Sequence, residues 1–409
     1  MSQISGAVPS KHWDEKMQNG VGMRMIFRLG LAAVLLCTGA AYGEFRFHVD
    51  STVIYDDNYL REEDGEDSFL FIERAAGSYI LDTYKTQLRT EGRVGGYLFT
   101  ADEDRSFLSY THTLDVAYNI TDFTVGAVEG SFVVSDNPRD TDLFGDDTAW
   151  QTYIGGTVTP HLRSHLFGDK VIAFCAATGS FRDYENTRSD DWEHLAGRAG
   201  LEGLLGDRTS VIVDGELGMK DYNEASDYDY WKARTGLRRQ FNEGLGVEVY
   251  AGYERRDYAS IDPDTALWNT DPNERGGEGD ETDTVLLGGK VEGSLGLGEF
   301  TDMTLTLVNE IEDSIQYTGE YYMNRGGDLA FKHELTDKTQ IYLSIYYFNR
   351  DYQNQDRNDD RLGGFATVRY LALDWLGVSL GYARDERFSD VELSDYSQNR
   401  VWVTGDVTF

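Results

Sequence analysis

Cysteine, proline and basic side chains are all scarce in this 409-residue sequence, which holds two Cys, five Pro and 37 Lys and Arg against 72 Asp and Glu. Each scarcity excludes something. Cys37 falls inside what reads as a leader, so Cys175 alone is left for the exported chain, and an intrachain disulfide or a cysteine metal cluster is ruled out. A formal charge of −35 excludes a general basic surface for nucleic acid or anionic lipid. No apolar run reaches the roughly 20 residues that a spanning helix needs. The sequence also lacks a G-x-S-x-G elbow, a G-x-x-x-x-G-K-[ST] loop and a D-x-[DN]-x-[DN]-G calcium loop. Its histidines outside the leader, His48, His112, His161, His165, His194 and His333, are scattered. His161 and His165 are four apart but are read as flanking a turn, so no zinc pair is expected. No catalytic residue, metal ligand or cofactor-binding residue is assigned, and no enzyme activity or cofactor is expected.

What is present begins with a targeting pattern. Arg24 and Arg28 precede an apolar stretch from Leu29 to Cys37, and small residues follow at Gly39 to Ala41. That is the layout of a secretory signal peptide, with cleavage expected after Ala41-Tyr42-Gly43. The chain is therefore divided into an N-terminal extension and leader, residues 1–43, and a single body, residues 44–409. Removing the leader takes four Lys/Arg and two Asp/Glu, leaving a charge of about −37.

Within the body, the period of the apolar positions is two. Val401, Val403, Gly405, Val407 and Phe409 alternate with Trp402, Thr404, Asp406 and Thr408. Leu195, Gly197, Ala199, Leu201 and Gly203 alternate with His194, Arg198 and Glu202, and Val211, Val213, Gly215, Leu217 and Met219 with Asp214, Glu216 and Lys220. Residues two apart share a strand face, so one face is apolar or small and the other polar. Pro138, Pro160, Pro263 and Pro272 are all read as turn or loop residues, because proline inside a strand removes a ladder hydrogen bond.

Connections alternate in length. Short turns are expected near Asp82-Thr83, Thr121-Asp122, Thr159-Pro160, Gly206-Asp207, Asn242-Glu243, Gly298-Glu299, Thr336-Asp337 and Leu373-Asp374. Longer polar loops are expected around 57–67, 100–105, 134–147, 182–191, 221–228, 257–282, 314–319, 351–359 and 387–394. Eight short and nine long connections join about 18 strands, an all-β chain read as a transmembrane, antiparallel, up-and-down β-barrel of the bacterial outer membrane. Low mean hydropathy, −0.48, is compatible with this, since lipid-facing residues are only every second one. Val403, Gly405, Val407 and Phe409 form a terminal alternating strand that ends in an aromatic, the pattern expected of an assembly signal for the barrel-assembly machinery.

By parity, the inner face carries Arg198, Glu202, Asp214, Glu216, Glu248, Tyr250, Glu254, Arg256, Glu310, Glu312, Tyr342 and Tyr346 as candidate pore-lining residues. Charged groups there would set ion selectivity, and rings could stack on sugars; the alternative is ordinary lumen polarity with tyrosines bracing the wall. The loops hold much of the acid: segment 257–282 has eight Asp/Glu and one Arg, and Asp56-Asp57, Glu62–Asp64 and Asp136–Asp147 add more. These read either as solvated loop charge or as a vestibule whose carboxylates meet cations or lipopolysaccharide through divalent ions. Expected partners are outer-membrane lipid and lipopolysaccharide, with no nucleic acid.

The first strand of the body, Phe45 to Leu60, reads FRFHVDSTVIYDDNYL. An opening strand that ends in Tyr55, Asp56, Asp57 and Asn58, followed by Leu60, resembles the putative β-barrel porin 2 family. That resemblance implies an outer-membrane channel associated with exopolysaccharide export and working with periplasmic export components. The residues themselves favour a turn with local backbone capping at the strand end. A general nutrient or ion porin, and a structural or adhesive barrel with a plugged lumen, are the alternatives.

Overall fold

A computed structural model describes residues 43–59, 67–101, 106–135, 152–168, 170–184, 191–222, 227–241, 245–258, 281–293, 300–313, 321–352, 357–391 and 395–409. The predicted leader (except Gly43), Pro138, Pro263, Pro272, Glu62–Asp64, Asp136–Asp147 and most of the acidic segment 257–282 lie outside the described residues.

Eighteen strands follow one another in chain order. The first nine are β1 (Glu44–Asp56), β2 (Ser68–Asp82), β3 (Thr86–Phe99), β4 (Phe107–Thr121), β5 (Thr124–Ser135), β6 (Tyr153–Leu166), β7 (Val171–Tyr184), β8 (Trp192–Gly206) and β9 (Thr209–Tyr222). The second nine are β10 (Tyr228–Gln240), β11 (Leu245–Tyr258), β12 (Glu281–Gly293), β13 (Thr301–Asp313), β14 (Tyr321–Thr336), β15 (Thr339–Tyr352), β16 (Arg357–Leu373), β17 (Leu376–Ser389) and β18 (Tyr396–Thr408). Every strand pairs antiparallel with its chain neighbours, and β1 also pairs with β18, so the sheet closes on itself. Closure leaves no edge strand, which is how a sheet satisfies its backbone in lipid.

Short turns and longer connections alternate as the sequence predicts except after β12, where the connection to β13 is as long as the next one; the predicted turns at Asn242-Glu243 and Gly298-Glu299 lie outside the described residues. Four of the short turns share a local design. Thr121-Asp122-Phe123-Thr124, Gly206-Asp207-Arg208-Thr209, Thr336-Asp337-Lys338-Thr339 and Leu373-Asp374-Trp375-Leu376 each follow a one-residue irregularity in the ladder. In two of them the threonine hydroxyl accepts the amide two residues on, Phe123 N and Lys338 N, at 3.2 Å. A turn beside a bulge is a common way to reverse a twisted hairpin.

One turn is elsewhere than predicted. Thr159 and Pro160 lie inside β6, and the chain reverses instead at Phe167-Gly168, both with positive φ. Pro160 pairs with Val128 of β5, but on the other side the β6–β7 ladder steps from Val158–Gly179 to His161–Ala176. The missing proline N–H is thus absorbed as a two-residue gap toward β7. The Thr159 and Thr178 hydroxyls, 3.2 Å apart, span it. The same shift corrects the reading of His161 and His165, which share the inner face of β6 and do not flank a turn.

Directly paired residues share a face, so the registers carry one inward set all round the ring. On β9 it is Ser210, Ile212, Asp214, Glu216, Gly218, Lys220 and Tyr222, and following partners strand by strand returns to the same set. The outward set is apolar and open: Leu217 is 69% exposed, Leu380 58% and Val213 55%. The inward set holds buried charge, with Glu202, Asp214, Glu254, Arg256, Asp359, Asp385 and Arg387 all under 9%. A soluble protein buries carbon and exposes charge; this one does the reverse, which fits a hydrocarbon surround and a wet interior. Outward aromatics mark both borders of the apolar belt. Near the short turns stand Tyr84, Tyr118, Phe123, Phe241, Trp375 and Phe409, and toward the long connections Tyr55, Phe69, Phe132, Trp231 and Tyr347. Girdles of aromatic rings flank the apolar band of outer-membrane barrels at both interfaces.

Candidate functional site

The inner wall is a web of cross-strand ion pairs. Alternation turns every second side chain inward, many of them charged, and the register sets opposite charges side by side. On β8 to β10, Asp214 accepts hydrogen bonds from Arg198 Nε and Arg234 Nη2, both at 3.0 Å. Glu202 accepts Ser210 Oγ at 2.8 Å and Arg238 Nη1 at 3.3 Å, and Arg163 reaches it at 3.5 Å. Arg238 Nε also donates to Glu248 at 2.8 Å. Glu216 meets Lys232 Nζ and Tyr230 Oη, each at 2.8 Å. Higher up, Arg256 donates to Glu254 at 2.7 Å and to the Ile311 carbonyl at 2.9 Å. Glu312 accepts from Tyr322 Oη and Asn324 Nδ2, both at 2.6 Å, and Glu310 faces Asn324 in register.

All twelve residues selected by parity therefore sit on the inner face, ten of them on β8, β9, β11 and β13 and two, Tyr342 and Tyr346, on β15. Parity alone did not reveal their partners. Lys232, Arg234 and Arg238 of β10 supply cations for four of the carboxylates, and their even-numbered spacing, against Ala233, Thr235 and Leu237, was the available signal. A second network was also missed. Arg357 Nη2 donates to Asp359 at 2.9 Å, and Arg387 meets the same carboxylate. Arg361 makes a two-point contact with Asp385 at 2.7 and 3.1 Å. Arg369 pairs with Asp406 at 2.6 Å, and Arg74 with Asp50 at 2.8 Å. Acidic and basic groups are present on this wall in comparable numbers, although the chain as a whole has nearly twice as many acids as bases.

The inward aromatics brace the wall. Tyr250 lies over Gly288, Tyr346 over Gly363 and Trp402 over Gly381, each so close that a methyl group on the glycine would collide with the ring. An aromatic laid flat over a cross-strand glycine pins register. Nearer the long-connection rim, Phe99, Phe107, Tyr153, Tyr184, Tyr228, Tyr322, Tyr352 and Tyr396 form a buried inward row. Cations stack on several: Arg182 on Tyr153, Arg256 on Tyr228, Arg350 on Tyr322 and Arg357 on Tyr352, at 4.5 to 5.0 Å from the ring centres.

Two other sets have definite places. Asp56 and Asp57, read above as loop charge, are engaged with β18: Asp56 is fully buried, and both carboxylates accept hydrogen bonds from it. Val403, Gly405 and Val407 face outward on β18, and Phe409 stacks on Trp375 with ring centres 6.5 Å apart. His161 stands 3.9 Å from Glu129, and among the described residues no group of three His, Cys, Asp or Glu could hold a metal ion.

A closed ring of this many strands, apolar outside and charged within, defines a porin-like β-barrel of the outer-membrane type. Residues 281–409, spanning β12 to β18, match the family model described as "Putative beta-barrel porin 2". The match lies at the opposite end of the chain from the Tyr55–Asn58 motif that suggested the family. No curated protein matches the sequence. Solved structures that resemble it include Pseudomonas aeruginosa OccK5 (OpdH), 11% identical, with 90% of this chain and 98% of that one covered at a TM-score of 0.47. Pseudomonas aeruginosa OccK2 (OpdF) in complex with glucuronate is 10% identical, with 90% and 98% covered and a TM-score of 0.48. Acinetobacter baumannii OccAB4 is 12% identical, with 91% and 99% covered and a TM-score of 0.44.

Proposed function

We propose that the chain is a passive outer-membrane channel for small polar and ionic solutes, with the short turns in the periplasm. The observation that carries this is the continuous inner wall of paired acidic and basic groups, which a water-filled lumen tolerates and a packed core does not. Such a wall offers sites to ions of either sign and holds none tightly. Nothing in it requires chemistry, so the reading is a channel and not an enzyme. It includes export through a leader cleaved after Gly43, which N-terminal sequencing of the membrane form checks directly. Purified protein in planar bilayers should give ohmic conductance with weak ion selectivity; a barrel that inserts but does not conduct would favour the plugged, adhesive alternative.

Polysaccharide export is the second reading, because the inward rings of Tyr250, Tyr342 and Tyr346 are only half-buried and can offer a face to a sugar. It predicts block of the same conductance by added oligosaccharide, and it brings periplasmic export components as partners. Conductance indifferent to oligosaccharide would leave the small-solute channel standing alone.

A further inference from the structure

We propose that Asp56, Asp57 and Asn58 form a register key with Gln398 and Asn399 that fixes the closing seam of the barrel, and with it the lumen diameter. The seam joins positions 342 apart in sequence, so its loop-closure cost is among the highest in the chain and it is expected to form last. It is also short: β1 and β18 share nine paired positions, His48–Asp56 with Arg400–Thr408, where β1 and β2 share thirteen. Backbone pairing alone is indifferent to a slip of two, because such a slip keeps every side chain on its own face. Something at this seam must distinguish the correct register from its neighbours.

The motif does so with side chains. Gln398 Nε2 donates to both oxygens of Asp56 and to the Asn58 carbonyl, all at 2.9 Å, and Gln398 and Asp56 are both fully buried. Asn399 gives its backbone N–H and its Nδ2 to the two oxygens of Asp57, at 2.5 and 2.7 Å, and receives the Asp57 N–H on its carbonyl at 3.1 Å. Asn58 Nδ2 donates to the Ser397 carbonyl at 3.1 Å. Inward Asp56 and outward Asp57 thus grip consecutive residues of β18 from both faces of the sheet. A two-residue slip separates every one of these partners and leaves the buried Asp56 carboxylate without the Gln398 amide, a costly loss for a buried acceptor. For a fixed strand number, the summed stagger sets barrel tilt and diameter. The closing register completes that sum, so the key sets how wide the lumen is.

Crosslinking reads the register. In a Cys175→Ala background, the outward register partners Val53 and Val403 become Val53→Cys and Val403→Cys, and the slipped pairs are Val53→Cys with Val401→Cys or with Gly405→Cys. Only directly opposed cysteines come close enough to bridge. The parent should crosslink through 53–403 alone and show a single conductance level. The triple variant Asp56→Ala/Asp57→Ala/Gln398→Ala should yield a slipped crosslink and more than one conductance level. If that variant assembles, crosslinks only through 53–403 and keeps the parent's single level, the proposal is overturned. If it does not assemble, Gln398→Asn, one carbon shorter with the same amide, decides. Slipped crosslinks, or a lower midpoint in heat-modified gel mobility, support the key; parental behaviour on both counts rejects it.

Discussion

Val213 and Asp214 are neighbours on β9, yet they live in different solvents. Val213 is 55% exposed and faces the belt between the two aromatic borders; Asp214 is 7% exposed and sits between two arginines on the lumen wall. The outer face is tuned by one demand, that no uncompensated charge meets hydrocarbon. The inner face is tuned by many pairings, from the half-exposed Arg238–Glu248 to the buried Arg357–Asp359. The outer wall should therefore be intolerant and simple, and the inner wall tolerant and selective.

The sharpest way to break this contrast is Val213→Arg. A guanidinium midway up the lipid face should cost about 2–4 kcal/mol, measured by urea unfolding from lipid vesicles; a cost below 1 would mean that this face does not meet lipid. Next is Gly381→Val, which drives a branched side chain into the Trp402 ring. Overpacking of about 1–3 kcal/mol is expected, together with lower single-channel conductance as the ring swings toward the lumen. An unchanged conductance would show that the ring has room elsewhere. Third, Asp214→Ala should cost about 1–3 kcal/mol, since the lost carboxylate is buried and two arginines lose their acceptor, though both guanidiniums are exposed enough to hydrate. It leaves Arg198 and Arg234 unneutralised, so the reversal potential under a salt gradient should move toward anion selectivity. The smallest effect belongs to Cys175→Ala, a lipid-side change expected to stay within about 0.5 kcal/mol by the same unfolding assay, and suited to serve as background for crosslinking.

Alternation made the barrel legible in the sequence because a one-sided lipid surface writes a period of two into every strand. Asp-centred turns and polar loops gave the strand order for the same local reason. The β6–β7 turn was misread because Thr159-Pro160 looks like a breaker, while the true reversal at Phe167-Gly168 carries its signal in Gly168-Asp169. A proline is admissible in a closed sheet when its imide side meets a gap and not a ladder partner. The wall's pairings were less visible. Parity places Glu216 and Lys232 on one face, but only register makes them neighbours. The Tyr55–Asn58 motif reads locally as a turn, and its role lies in residues more than 300 positions away.

That proline gap has one further bearing. Among the described residues of β6 and β7, Thr159, Pro160, Ala177 and Thr178 have no ladder partner across this seam, although Ala177 and Thr178 remain paired to β8. The two threonine hydroxyls stand on the lumen side and meet each other across the interruption. The wall has a slack stitch here, and its amides should exchange with deuterium ahead of the continuously paired mid-strand amides of β8 and β9.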